Sequence, residues 1–296
     1  MEKKWLCLLV GVLCGFMTAQ GQVVQVIPEG GGSSGQDRRL YQPKNEKKVD
    51  EPRLECLYEY TAIDTVLCKT KLDQVILQVG PSWTKFIDYY NYWADSVCWR
   101  SDWKITAAEV EELDQPMDTQ FYESQLRNIA EERFTCNGQV GLDFYVYEDS
   151  TARMDWTLAE GEATVCGFAC RKATTRFRGR DWTVWYTDEI PVDAGPWKLH
   201  GLPGLILKAE TPDSLLRFEA VQLRVPKGET YYIAYTYPER MDLHPTREEV
   251  LKMERVLGTG LREYMASKGV KVVSQGLPNE RTQFPSRFFY QPLELE

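Results

Sequence analysis

Gly204-Leu-Ile-Leu-Lys-Ala-Glu210, Thr211-Pro-Asp-Ser214 and Leu215-Leu-Arg-Phe-Glu-Ala-Val-Gln-Leu-Arg-Val225 form the stretch that decides the fold. The tetrapeptide in the middle is a strong hairpin signal, because Pro, Asp and Ser each favour a turn. The flanking runs are strand-like, and sequential strands joined by a short turn pair antiparallel. Working outward, period-two alternation recurs upstream in Leu142-Asp-Phe-Tyr-Val-Tyr147, Met154-Asp-Trp-Thr-Leu158, Val165 to Phe177, and Trp182-Thr-Val-Trp-Tyr186. Turn-like clusters separate these runs at Glu148-Asp-Ser150, Glu160-Gly-Glu162 and Arg178-Gly-Arg-Asp181. The pattern predicts a mainly β protein: a curved antiparallel meander, or half-barrel, flanked by a few helices.

Three helices are expected. Thr246-Arg-Glu-Glu249 has the form of a capping box, and Val250, Met253, Leu257, Leu261 and Tyr264 follow at helical spacing. A second helix is expected within Ser82 to Trp99 and a third over Phe121 to Glu132. The second carries many aromatics (Trp83, Tyr89, Tyr90, Tyr92, Trp93, Trp99), with Trp103 just beyond it. They read either as core or as the lining of a concave surface.

The N-terminus gives the address. Lys3 and Lys4 precede an apolar stretch from Trp5 to Ala19, shorter than the roughly 20 residues a membrane span needs. Ala19-Gln20-Gly21 suits cleavage before Gln22, so residues 1–21 are expected to be a signal peptide; an uncleaved anchor is the alternative. Neither Cys7 nor Cys14 follows a small residue, which argues against a lipoprotein. Residues 22–50 are Gly-rich and charged and are expected to be a flexible linker. Residues 51–296 are long enough for one domain with a real core. The expected location is periplasmic or secreted, with no transmembrane segment left after cleavage.

The chain carries 35 basic and 44 acidic residues, a formal charge of −9. This is opposite to the electrostatic footprint of a nucleic-acid binder, and Arg171, Lys172, Arg176, Arg178 and Arg180 read as a solvated strand face. Beyond the signal remain Cys56, Cys68, Cys98, Cys136, Cys166 and Cys170. An even number in an oxidising compartment suggests disulfides. A hairpin turning near Ala62-Ile63-Asp64 would set Cys56 opposite Cys68, the one pairing with local support. With no C-x-x-C pair and two histidines, no metal site or cofactor is expected.

From Trp185 the chain reads Trp-Tyr-Thr-Asp-Glu-Ile-Pro, then Gly195-Pro-Trp-Lys198, His200 and Gly201-Leu202-Pro203-Gly204-Leu205-Ile206. The hexapeptide is the signature of the GLPGLI family, which this chain resembles from about residue 51 onward. Trp156-Thr-Leu158, Gly167-Phe-Ala-Cys-Arg-Lys-Ala173, Leu54-Glu-Cys-Leu-Tyr-Glu-Tyr60, Val75-Ile-Leu-Gln-Val-Gly80 and the closing Tyr290-Gln-Pro-Leu-Glu-Leu-Glu296 add to the resemblance. It implies an exported Gram-negative protein with no activity to carry over. It also implies similarity to the bowl-shaped N-terminal domain of certain peptide-N-glycosidases, hence a glycan- or peptide-facing role.

Read from its residues, the hexapeptide is either a rigid corner feeding a buried strand or the wall of a pocket. The pocket would be lined by Trp185, Tyr186, Glu189 and Trp197, with His200 at its rim. No catalytic residue can be assigned. There is no G-x-S-x-G, and Cys166 or Cys170 with His200 reads better as bonded or buried thiols. Carboxylate pairs drawn from Asp155, Asp181, Asp188 and Glu189 are too common to mean anything by spacing, and His244 leads into the capped helix. The expectation is a non-catalytic envelope protein binding a glycan, a peptide or an envelope protein in the half-barrel's concavity. A hydrolase or amidase component acting on peptide or glycopeptide, and an outer-membrane assembly or transport accessory factor, are the alternatives.

Overall fold

The computed structural model describes residues 46–102, 104, 121, 123–141, 143–151, 153–227, 231–236, 243–267 and 288–295. Residues 1–45 lie outside it, so the signal peptide and most of the linker are not among the described residues. The strands are β1 (Glu46–Asp50), β2 (Leu54–Asp64), β3 (Lys69–Val79), β4 (Trp83–Asp88), β5 (Glu123–Asn128), β6 (Arg133–Val140) and β7 (Asp143–Ser150). They continue as β8 (Thr157–Val165), β9 (Phe168–Phe177), β10 (Arg180–Thr187), β11 (Leu205–Glu210), β12 (Leu216–Arg224) and β13 (Ile233–Thr236). Three helices are described: α1 (Tyr89–Arg100), α2 (Arg247–Thr259) and α3 (Leu261–Ser267). None is long and apolar enough to cross a membrane.

Eleven strands make one antiparallel sheet in the order β7-β6-β5-β4-β3-β2-β12-β11-β10-β9-β8. This is two meanders, β2 to β7 and β8 to β12, sewn together where β12 pairs with β2. Short turns explain each meander. Cys166-Gly167 and Arg178-Gly179 both hold positive φ at two central residues, the backbone that two-residue hairpins require. The sheet is not closed, since β7 and β8 are its two edges. It does curl, because Arg178 in the β9–β10 turn reaches Asp149 of β7 at 2.7 Å.

Alternation then sorts side chains onto two faces. Tyr58 and Tyr60 of β2, Leu77 of β3, Phe86 of β4, Trp182 and Val184 of β10, and Phe218 of β12 fill the concave side. Each such burial contributes about 1.5–3 kcal/mol. On the convex side α1 rests over Ile76 and Ile87, pinned by Glu55, which accepts from Gln78 Nε2 (3.0 Å) and Tyr92 Oη (2.9 Å). On the concave side α2 covers Phe134, Cys136, Tyr145 and Tyr147 of β6 and β7 with Val250, Met253 and Leu257.

Several expectations need correction. The β2–β3 hairpin turns at Thr65–Cys68, where Asp64 Oδ1 accepts from Val66 N and Leu67 N, both at 2.9 Å. Cys56 therefore faces Leu77, and Cys68 sits in the turn on the order of 25 Å along the hairpin; both thiols are free. The helix expected over Phe121 to Glu132 is β5 and its turn, because hydrogen bonding to β4 and β6 on both sides overrides local propensity. The first part of the Ser82–Trp99 helix is β4, and the helix starts only after Asp88, whose carboxylate caps Asn91 N at 3.0 Å. Val165 to Phe177 is broken by the Cys166-Gly167 turn, Glu160-Gly-Glu162 is a bulge inside β8, and Glu148-Asp-Ser150 belongs to β7. Glu46–Asp50, expected in the linker, pairs with β13. The capping box at Thr246 and Glu249 forms as expected.

Candidate functional site

The long connection from Asp188 to Gly204 joins two paired strands, yet it does not loop out into solvent. It folds back into the hollow as a plug. Leu205 N bonds to Ile190 O and Ile206 N to Ala194 O, both at 3.0 Å, while Tyr58 Oη donates to Ile206 O at 2.8 Å. A Cβ on Gly204 would overlap the Thr187 carbonyl, so only glycine fits where the plug returns to the sheet. Gly201, at φ +93°, sets the outer bend over Trp156, whose Nε1 donates to His200 O at 2.8 Å. Leu202, Leu205 and Ile206 are buried, while Gly201 and Pro203 lie at the surface. The hexapeptide is thus a corner feeding a buried strand.

The five side chains expected to share a pocket are not brought to one place. Trp185 lies on the outer face, its ring between Lys172 and Lys208 with the ammonium groups 5.9 and 4.8 Å from the centroid. Tyr186 is buried, with the Arg171 guanidinium over its ring. Glu189 is exposed and accepts from Ala169 N at 3.2 Å. Trp197 is core, packed on Trp182 and Phe177 with centroids 5.6 and 5.5 Å away. His200 is buried against Phe134, Nδ1 on Lys198 O at 2.8 Å; burial, then the charge of Arg127, holds its pKa below the usual histidine value.

The plug delivers a different residue to chemistry. Trp197 adopts a left-handed φ of 56°, rare for a bulky side chain, and this turn sends Lys198 the other way. Lys198 is 1% exposed and reaches Glu294 Oε1 (2.7 Å), Tyr147 Oη (3.0 Å), Asp149 Oδ2 (3.3 Å) and Glu123 Oε1 (3.9 Å). Tyr145 and Tyr147 both donate to Glu123 Oε2, at 3.1 and 2.9 Å. Arg178 clasps Asp149, and Arg247 clasps Glu294 at 2.6 Å. Burial alone would pull the Lys198 ammonium down, but the surrounding Cys136, Glu123, Glu294 and Asp149 outweigh it and hold it above the usual lysine value.

Two groups in this polar half stand out. Gln125 of β5 is 2% exposed; its Nε2 donates to Glu123 Oε1 at 2.8 Å, while its Oε1 has no partner. Glu254 lies on the inward stripe of α2 with Val250, Met253, Leu257 and Gly258, where an apolar residue belongs. Its carboxyl interacts electrostatically with Tyr60, Tyr145, Glu123, Glu294 and Lys198, and it makes no hydrogen bond to a described residue. The residue as a whole is half-buried. Burial first, then Glu123 and Glu294, push its pKa up to about 8. Burial also raises the Cys136 and Cys170 thiols, and Cys56 to about 12, so none of these three offers a ready thiolate. Among the described residues, no cluster of three or more His, Cys, Asp or Glu is placed to hold a metal ion.

The sequence reading passed over every member of this cluster as a site residue. Two signals were present: Lys198 and Glu294 belong to separate segments that carry the family resemblance, and Glu254 interrupts an apolar helical stripe four residues after Val250. Glu123, Gln125 and Asp149 gave no signal, since acids and amides on strands are common.

Comparison with known proteins gives little beyond this. The family described as "Protein of unknown function (Porph_ging)" matches residues 172–208, which run from the second part of β9 through β10 and the plug into the start of β11. No curated protein sequence matches the chain. Two solved structures of PNGF-II are similar in fold. One is 16% identical with a TM-score of 0.44 over 68% of this chain and 32% of that one. The other is 18% identical with a TM-score of 0.41 over 60% and 28%. The chain thus spans about a third of the PNGF-II length.

Proposed function

We propose that this chain is an exported envelope protein of the GLPGLI family that binds a small polar ligand without transforming it, in the polar half of its concave face. The observation that carries the reading is Gln125 Oε1, an unpaired acceptor in the protein interior, on a side chain whose Nε2 bonds Glu123. Buried polar groups without partners are rare and mark places where water or a guest completes the bonding. Lys198 is already saturated by its anions, which fits a positioning role better than a nucleophilic one. A thermal-shift panel of saccharides, short peptides and small polar molecules tests this. Ligands that raise Tm of the wild type should fail to do so in Gln125→Leu and still act on Trp185→Ala. A panel without any stabilising member, or equal shifts in Gln125→Leu, overturns the reading.

One observation favours a second reading, a hydrolase acting on peptide or glycopeptide. Glu254 keeps its proton up to about pH 8 within the field of Glu123, and a protonated acid beside a second carboxyl is the arrangement glycoside cleavage uses. Turnover of labelled glycopeptides that vanishes in Glu254→Gln, with Tm retained, would put this reading ahead.

A further inference from the structure

Residues 288–295 run as a strap from α2 and the end of β2 to the β9–β10 turn, and they belong to no helix or strand. Most of the strap is only half-buried; among its residues Glu294 alone is buried. It is held as a bound peptide is held, through its backbone. Asp64 Oδ2 accepts from Tyr290 N at 3.0 Å, Arg180 Nε donates to Pro292 O at 3.1 Å, and Arg178 O accepts from Leu295 N at 3.0 Å.

The seat for this strap is built into the fold at both ends. Gly258 lies inside α2, where glycine weakens a helix. A Cβ there would come within 2.6 Å of the Tyr290 ring, so the glycine makes the hollow in which that ring lies. At the other end the Glu294 carboxylate enters between Lys198 Nζ and Arg247 Nη1, at 2.7 and 2.6 Å. One ring in a hollow and one carboxylate on two largely buried cations are the anchors, with half-buried residues between them. That is how a peptide ligand concentrates its binding in a few side chains. The seat also selects for charge. Without Glu294, Lys198 at 1% exposure loses its nearest anion, and a buried charge stripped of its partner is strongly destabilising. A basic or neutral segment would leave it so.

We propose that this seat is a peptide-recognition site that the chain's own strap holds shut, and that its ligand from outside is an extended peptide presenting an aromatic ring to Gly258 and a glutamate to Lys198 and Arg247. Occupancy exchanges one carboxylate for another, with no covalent bond made or broken. Covalent attachment gives the strap the advantage of an intramolecular ligand, so a free peptide enters once the strap is weakened. Gln125 takes no part in this, so the inference goes beyond the small-ligand reading and stands or falls apart from it.

Fluorescence polarisation of a labelled peptide with the sequence of residues 288–296, titrated with the full chain, tests the exchange. The wild type, with its strap in place, should bind the peptide weakly. Glu294→Ala in the full chain should bind it at least about tenfold tighter, because only the peptide then brings Lys198 a charge-assisted partner. Leu293→Ala loosens the strap where it packs on the apolar core and leaves the ions alone. It should bind with intermediate affinity, and it decides the matter if Glu294→Ala does not fold by circular dichroism. A peptide with glutamine at the place of Glu294 should lose about tenfold on either variant. No saturable binding to the variants, equal binding to wild type and variants, or a glutamine peptide that binds as well as its parent each overturns the assignment.

Discussion

On the two sides of the plug, the concave face reaches similar burial by different chemistry. The apolar half joins Tyr58, Tyr60, Phe86, Trp182, Trp197 and Phe218 into one contact cluster, in which every added neighbour excludes more water. The polar half buries Lys198, Arg127 and Gln125 and keeps them only through specific partners. Trp197 and Lys198 are adjacent in the chain and fall on opposite sides of this divide. The apolar half tolerates approximate partners, whereas in the polar half one missing atom leaves a charge stranded.

Replacing the two neighbours separates these cases with the largest expected effects. Trp197→Ala should cost about 3–5 kcal/mol in urea unfolding, through lost burial and a cavity. Lys198→Met should cost a similar amount by uncovering three carboxylates. The distinction appears in a second background: Glu294→Gln should recover part of the Lys198→Met loss and none of the Trp197→Ala loss. Equal recovery in both would mean that the halves are not distinct.

The next effect is pH-dependent. Glu254 titrates near 8 in the folded protein against an ordinary 4.5, so between those values the folded state holds a proton the unfolded chain has lost. Its contribution is therefore fully present below about pH 4.5 and is lost as pH rises through 8. Comparing wild type with Glu254→Gln should isolate a change on the order of 5 kcal/mol in total across that window. Coincident pH profiles would remove Glu254 from the interior.

Smaller effects test the frame around both halves. Thr246→Ala should cost about 1 kcal/mol by removing the cap that starts α2, the helix carrying Glu254. Arg176→Ala, which breaks an exposed pair with Asp181 on the outer face, should change stability by less than about 0.5 kcal/mol. A larger loss there would contradict the reading of that face as solvated.

Much of the fold was legible because strands announce themselves locally. The β11–β12 hairpin and the capped helix α2 appear where the sequence put them, since turn chemistry and capping act within a few residues. Strand β5 was missed because Glu123 to Asn128 has no clear alternation and is held by neighbours on both sides. The five residues expected to line a pocket do not converge, for a related reason. Aromatic content drew attention to Trp185 and Trp197, but whether a tryptophan is core or surface depends on what packs over it.

The sequence alone determined an antiparallel β architecture and the start of α2, both properties of short-range backbone preference, and left the hexapeptide Gly201–Ile206 as either a corner or a pocket wall. Only the tertiary structure decided that the 188–204 connection turns inward, and that Lys198 meets Glu294, which lies 96 residues away. It also decided that the carboxyl of Glu254 is buried without a hydrogen bond to a described residue. Those outcomes depend on how a curled sheet brings distant residues into one low-dielectric space, and no local pattern encodes that distance.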